Sequence, residues 1–203
     1  MGDLVLVTGP TSEPISLSEL KLQARVEYTD IDEDILFYDI IKAAREHVED
    51  ITRRALFTQT WAYYLDDWPS GNRIKLPLGN LQTTSLAVTY DEVDSDGNKN
   101  TETMTLTTDY LIETNGDQCG FIVLPYGETW PSFTHWPTHS IKIQYQCGWS
   151  AVTSIPFEIR AAIKLIALDL YANREGQVMS NLNYQENKTV MRLLQPQRLW
   201  DEF

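Results

Sequence analysis

The sequence predicts an α+β fold: an α-helical base carrying an inserted, mainly antiparallel β region. Three observations predict it. Apolar residues recur with helical spacing near both ends of the 203-residue chain. Between them the pattern changes to the two-residue alternation of strands. The order is helices, then strands, then helices, without the strand–helix–strand alternation of a parallel sheet. The predicted division is 1–58 for the N-terminal arm and first helices, 59–149 for the β region, and 150–203 for a long helix and tail that complete the base.

Residues 1–15 read as an extended arm broken by Pro10 and Pro14. Ser16 and Glu19 have capping-box spacing, so the hydroxyl and the carboxylate satisfy the first free N–H groups of a helix running to about Val26. Leu17, Leu20 and Ala24 share its inner face. The stretch from Tyr28 to Asp34 is an acidic break, with carboxylates where the positive end of the next helix begins. That second helix is predicted from about Glu33 to Arg53, with Phe37, Ile41, Ala44, Val48 and Ile51 as its apolar stripe. Lys42, Arg45, Glu46 and Glu49 fall on its wet side.

Strands are predicted at 60–66, 73–76, 86–90, 103–106, 110–113, 121–124 and 141–147. Asp96-Gly97 marks a hairpin turn, since glycine accepts the positive φ such turns need. A long helix then starts at Pro156, whose missing N–H would be unpaired at a helix start anyway. Ile159, Ile163, Ile166 and Leu170 follow one face, and Ala161, Leu165 and Leu168 a second. A helix apolar on two sides must be covered on two sides. Either it is sandwiched within its own domain or the second face meets another subunit. The candidate interface residues are Ile163, Leu165, Ile166, Leu168 and Leu170. A final short helix is predicted near 186–194. Met191, Leu193, Leu194, Leu199, Trp200 and Phe203 crowd the end of the chain, where residues are usually polar and frayed. They read as a docking peptide.

No catalytic constellation emerges. His135 and His139 are four apart, but Pro137 argues for a loop and no third metal ligand accompanies them. The stretch from Glu92 to Gly97 resembles the start of a calcium loop, yet Thr103 stands where the bidentate acid belongs. Asp66-Asp67 reads as a polar strand end. GxSxG, GxxxxGK[ST], GxGxxG and HExxH are all missing. No catalytic residue, metal ligand or cofactor is expected. Trp130, Phe133 and Trp136 lie in a proline-broken loop, either pinned onto the sheet or serving as an interface anchor. Cys119 and Cys147 read as a buried, reduced pair.

Net charge is −13 and the pI is near 4.5. Such a chain repels nucleic acid at long range, which argues against a DNA-binding module. It still suits a surface past which DNA must slide. No apolar run of about 18 residues marks a membrane span, so no membrane partner is expected. The N-terminus lacks the basic and apolar regions of a signal peptide.

Several stretches resemble the phage head–tail connector (adaptor) proteins, in the longer form with an inserted β region. Glu13-Pro-Ile-Ser-Leu-Ser-Glu-Leu-Lys21 resembles the family's Pro-x-Ser/Thr-Leu-x-Glu-x-Lys opening. Asp32-Glu-Asp34 followed by Ile40-Ile-Lys-Ala-Ala-Arg-Glu46 resembles its second helix. Leu56-Phe-Thr-Gln-Thr-Trp61 resembles its entry to the β region. Pro156 through Glu175 resembles its long helix, and Leu193-Leu-Gln-Pro-Gln-Arg198 its closing motif, with Gln197 where an aromatic is usual.

The resemblance implies a non-enzymatic virion protein of the neck, between head and tail, made and assembled in the host cytoplasm. It implies a homo-oligomeric ring, typically of twelve subunits, beneath the portal protein. Such a ring extends the DNA channel and meets the next neck or tail protein, while duplex DNA passes without specific binding. On that view the terminal apolar residues dock on the portal, and Asp91, Asp94 and Asp96 of the hairpin tip are candidates for channel lining. The alternatives are another neck or tail-completion protein such as a stopper, a small enzyme with a nonstandard site, or a carbohydrate-binding module.

Overall fold

A computed structural model describes residues 2–173 and 188–199. They hold four α-helices and eight strands in two units. One unit comprises Thr11–Phe57 and Trp149–Phe203, the other Met1–Pro10 and Thr58–Gly148.

The first unit is helical: α1 (Leu17–Ala24), α2 (Asp34–Thr52), α3 (Phe157–Ala172) and α4 (Lys188–Leu194). The expected stripe of α2 drives its core. Phe37, Ile41, Ala44 and Val48 are buried in one cluster with Ile159, Ala162, Ile163 and Ala167 of α3. Leu20 of α1 and Ile15 close it on one side, Val190 and Leu194 of α4 on another. The capping box at the start of α1 is formed. Ser16 Oγ accepts the Glu19 N–H at 3.2 Å, and the Ser16 N–H donates to Glu19 Oε2 at 2.9 Å. Helices α1 and α2 both stop at an arginine in the left-handed region, Arg25 (φ 58°) and Arg53 (φ 55°).

Among the described residues, three cations are buried in this unit: Lys21, Arg45 and Arg54. Lys21 pairs with Asp34 and donates to the carbonyls of Tyr28 and Asp30, which fixes the acidic connection between α1 and α2. Arg45, expected on the wet side, is 3% exposed. It is enclosed by the carboxylates of Glu13, Glu46 and Glu49.

Glu19 sits between Ser16 and two cations, Arg160 at 2.6 Å and Lys164 at 3.9 Å. Burial alone would raise its pKa. The Ser16 N–H, Arg160, Lys164 and the Ser16 hydroxyl together outweigh that and hold the carboxyl below its usual 4.5. A depressed acid stabilises the fold above its unfolded pKa and loses that contribution as pH falls through the folded one. Glu19→Gln is therefore expected to be less stable than the wild type at pH 7. The gap in urea midpoint should close as pH drops below about 4.5. Ser16→Ala should cost about 1 kcal/mol across the same range, through loss of the cap itself.

The second unit holds two antiparallel sheets. The larger has the order β1-β2-β8-β4-β5, from Asp3–Thr8, Gln59–Leu65, Ile141–Cys147, Leu81–Val93 and Lys99–Thr103. The smaller has the order β3-β7-β6, from Arg73–Lys75, Phe121–Val123 and Leu111–Glu113. Strand β8 is central, and its alternation puts Ile141, Ile143, Tyr145 and Cys147 on the buried face. Ile143 pairs with Tyr63 on one side and Val88 on the other. The Tyr145 hydroxyl donates to the Pro77 carbonyl at 3.1 Å, and burial pushes its pKa far up. Gly120 has a packing role, since a Cβ there would lie 2.4 Å from Leu81 Cδ2.

Three expectations change. The N-terminal arm is a strand, so residues 1–10 belong with the β unit and not with the helical base. Its run of exposed Leu and Val carries no alternation to read. The strand expected at 103–106 ends at Thr103, and β5 begins earlier, at Lys99. Polar residues fill β5, so it carries no apolar alternation to read. Finally, Cys147 is buried but Cys119 only half-buried, and the two are not joined in a disulfide.

Candidate functional site

The candidate sites among the described residues are surfaces. No helix among them is long and apolar enough to cross a membrane. No three side chains among them are grouped to hold a metal ion. His135 lies 3.2 Å from Ser140 Oγ and 3.5 Å from Asp67, while His139 stacks on Tyr64 and lies 3.0 Å from Asp3. The two histidines are thus engaged with different partners.

On α3 the two apolar faces fare differently. Ile163 is fully buried in the unit's own core, so it is a core residue and is removed from the interface candidates. Its face meets α2. Leu165, Ile166 and Leu168 are half-buried, each packed against that core with part of its surface open. Leu170 is 41% exposed and Phe157 80%. The helix is therefore covered on one side and incompletely on the other.

The tail needs a larger correction. Leu194 is fully buried and Leu199 is 5% exposed, so neither is free to dock elsewhere. Leu193 packs against the same core, and Met191 is half-buried. The Leu199 N–H donates to the Thr52 carbonyl at 2.9 Å, and Arg54 Nε to the Gln197 carbonyl at 2.5 Å. These bonds tie the tail to the end of α2. The apolar groups that seemed to have nothing to cover cover α3 and α2. Trp200 and Phe203 lie outside the described residues.

In the acidic hairpin the three aspartates have distinct roles. Asp91 is half-buried, paired with Lys99 at 2.8 Å, and accepts from Thr101 Oγ1 at 2.5 Å. Asp94 accepts the N–H groups of Asp96 and Asn98 at 2.9 and 2.8 Å. The Asn98 N–H, foremost among its contacts, holds its carboxyl below the usual range. It builds the turn at Gly97 (φ 81°). Asp96 is exposed at the tip.

The aromatic loop is pinned to the sheet. Trp130 stacks on Trp68 at 4.7 Å between centroids and donates to the Gly71 carbonyl at 2.7 Å. Phe133 stacks on Tyr90 at 4.6 Å, and Lys99 sits 6.0 Å over the Trp136 ring. These faces are engaged within the unit, which favours the structural role over an open anchor.

Sequence reasoning missed a run of exposed apolar groups in the helical unit. Leu22, Tyr28, Ile31, Ile35 and Tyr38 are 57–82% exposed and lie within seventeen residues of the helical unit. Clusters of this kind mark interaction surfaces more often than chance. The signal was present as large apolar residues interleaved with Glu27, Asp30, Asp32 and Asp39, but the acids dominated the reading. In the β unit, Val5, Leu6 and Val7 of β1 are each about half exposed, at 46%, 46% and 50%.

No family model and no curated protein matches the chain. Solved structures do. A chain of the neck of an empty gene transfer agent (GTA) particle, computed with C6 symmetry, matches with a TM-score of 0.77 at 18% identity. The match covers 99% of this chain and 97% of the other. A chain of the virion of a native GTA particle matches with a TM-score of 0.73 at 18% identity, over 98% and 97%. A chain of the neck of a native GTA particle, computed with C12 symmetry, matches at 0.71 and 18% identity, over 100% and 97%. The α+β fold is therefore that of a neck-particle chain from end to end.

Proposed function

We propose that this chain is a structural, non-enzymatic virion protein of a phage-like neck. In this reading copies form a ring between the capsid portal and the tail. The ring extends the DNA channel, binds the portal on one side and the next neck or tail protein on the other, and assembles in the host cytoplasm. The observation that carries the reading is the end-to-end likeness to GTA neck chains, two of them from necks computed with C6 and C12 symmetry. The motifs that resemble phage connectors support it independently. A stopper-like neck protein is the second reading, because the fold likeness is to neck chains without distinguishing the layer.

Within this proposal, Leu165, Ile166, Leu168 and Leu170 remain the subunit-contact candidates on α3. Met191 and Leu193, with Trp200 and Phe203, remain the docking candidates in the tail. The exposed cluster from Leu22 to Tyr38 adds a further surface for a neighbouring protein. Electron microscopy of the purified chain mixed with the portal of its own particle tests the proposal. Rings of this chain seated on the portal are expected, and a chain that stays monomeric without binding would overturn it.

The charge gives a separate expectation. A channel that passes DNA both ways is impeded by cationic contacts to phosphate, each of which adds salt-sensitive affinity. With a net charge of −13, the assembled ring is expected not to shift duplex DNA in a low-salt gel assay. Asp91, Asp94 and Asp96 are the proposed lining. Tight binding that weakens with salt would contradict this.

A further inference from the structure

We infer that the outer edge of β1 docks a second copy of this chain, with that copy's β5 lying alongside it in parallel. The inference rests on the ring reading and names one contact within it.

The first observation is that β1 is an open edge, interrupted only by a register shift between Leu6 and Thr8. It is the terminal strand of the larger sheet, paired with β2 on one side only among the described residues. Natural edge strands are blunted by lysines, prolines or shortness, because their unpaired N–H and C=O groups template pairing with other chains. From Leu4 to Thr8 this strand has no charge and no proline. Its apolar side chains Val5, Leu6 and Val7 stand half exposed on both faces of the sheet. An edge left in this state is built to be covered.

The second observation selects the occupant. In a ring the nearest strands belong to a copy of the same chain, through a head-to-tail contact between two different surfaces. Pairing of β1 with another β1 would be two-fold and would close after two copies. Among the described residues the other open edges are β5, β3 and β6. Strands β3 and β6 have three residues each, whereas β5 has five against the six of β1.

Direction and charge then fix the arrangement. Five strands with antiparallel neighbours leave β1 and β5 running the same way. A copy rotated about an axis along the strands therefore presents its β5 parallel to β1. With the strand starts aligned, Asp3 lies opposite Lys99 and Leu6 opposite Glu102. The antiparallel alternative would set Asp3 opposite Thr103 and Lys99 opposite Val7, which loses the charge pair. The side chains of Asp3 and Lys99 are 70% and 46% exposed; within the single chain they meet His139 and Asp91, so the contact between copies shares or exchanges those partners.

The test uses the full-length chain with the portal of its own particle. Native mass spectrometry reads assembly, and hydrogen exchange reads the backbone. The wild type should assemble, with amides 4–8 and 99–103 exchanging at least tenfold more slowly than in the monomer. Val5→Lys with Val7→Lys, which changes only half-exposed side chains, should raise the concentration needed for assembly at least tenfold while leaving the thermal transition of the monomer in place. Asp3→Lys and Lys99→Asp should each weaken assembly, and the two together should restore it. Normal assembly of the lysine variant, with unprotected amides at 4–8, would overturn the inference and leave the ring reading standing. Dimers that protect 4–8 but not 99–103 would overturn the choice of β5. A wild type that binds no portal and forms no ring would overturn the ring reading itself.

Discussion

Removing the chain from Lys188 onward is expected to unfold the helical unit, and Leu194→Ala alone to lower its stability by about 2–5 kcal/mol. Leu194 is fully buried and Val190 almost so, in one cluster with the cores of α2 and α3, and Leu199 is 5% exposed. Truncating a large apolar side chain there loses its transfer free energy and leaves a cavity that close packing cannot fully collapse. Deletion adds the loss of the Leu199–Thr52 and Arg54–Gln197 hydrogen bonds, leaving acceptor and donor groups at the end of α2 exposed or unpaired. A loss of this size is a large part of the total stability of a typical domain. Urea unfolding followed by helical circular dichroism measures it. A deletion variant with an unchanged midpoint would mean that the tail is a free docking arm after all. A collapsed midpoint would show that portal binding must be probed with point variants at exposed positions, since deletion removes the fold along with any contact.

The helices were legible because each level of the sequence agreed. The stripe of α2, the Ser16–Glu19 box and Pro156 at the start of α3 all specified the elements that form. The hairpin at Gly97 was legible from its turn chemistry. What stayed hidden had physical reasons. Strand β1 lies at an edge, where half-exposed Leu and Val give no alternation. Arg45 stands at a helical position read as wet, and although Glu46 and Glu49 are its neighbours on α2, nothing local announces that Glu13 joins them and that the group is buried. Ile163 and Leu170 share one apolar face of α3 in sequence, so only packing could say that Ile163 enters the core while Leu170, two turns on, stays exposed. The tail's apolar residues were correctly seen as needing cover, but sequence alone could not choose between a partner and the chain's own α2 and α3. Fold was thus more legible than site, since a fold is specified many times over and a docking surface is specified by exposure alone.

Arg45→Ala is expected to destabilise the helical unit by about 3–5 kcal/mol, the cost typical of breaking a buried ion pair on one side. The guanidinium is 3% exposed and bonds Glu13 at 2.9 Å and Glu46 at 3.2 Å, with Glu49 closer still. Burial would lower its pKa, but Glu49, then Glu13 and Glu46, reverse this and raise it, so the cation is held in place electrostatically. Each carboxylate also positions chain. Glu13 precedes Ile15, which enters the core just before α1. Glu49 Oε1 accepts the Leu56 N–H at 2.8 Å, fastening the residues that follow α2. Removing the arginine leaves these acids close together without their shared cation, and the repulsion loosens both attachments. Arg45→Ala with Glu49→Gln should recover part of the loss, because one negative charge goes while the amide oxygen can still accept from Leu56. A double-mutant cycle by urea unfolding reads this as a coupling of about 1–3 kcal/mol. Strict additivity of the two substitutions would mean that the three acids are solvated independently and that Arg45 contributes only the packing of its aliphatic stem.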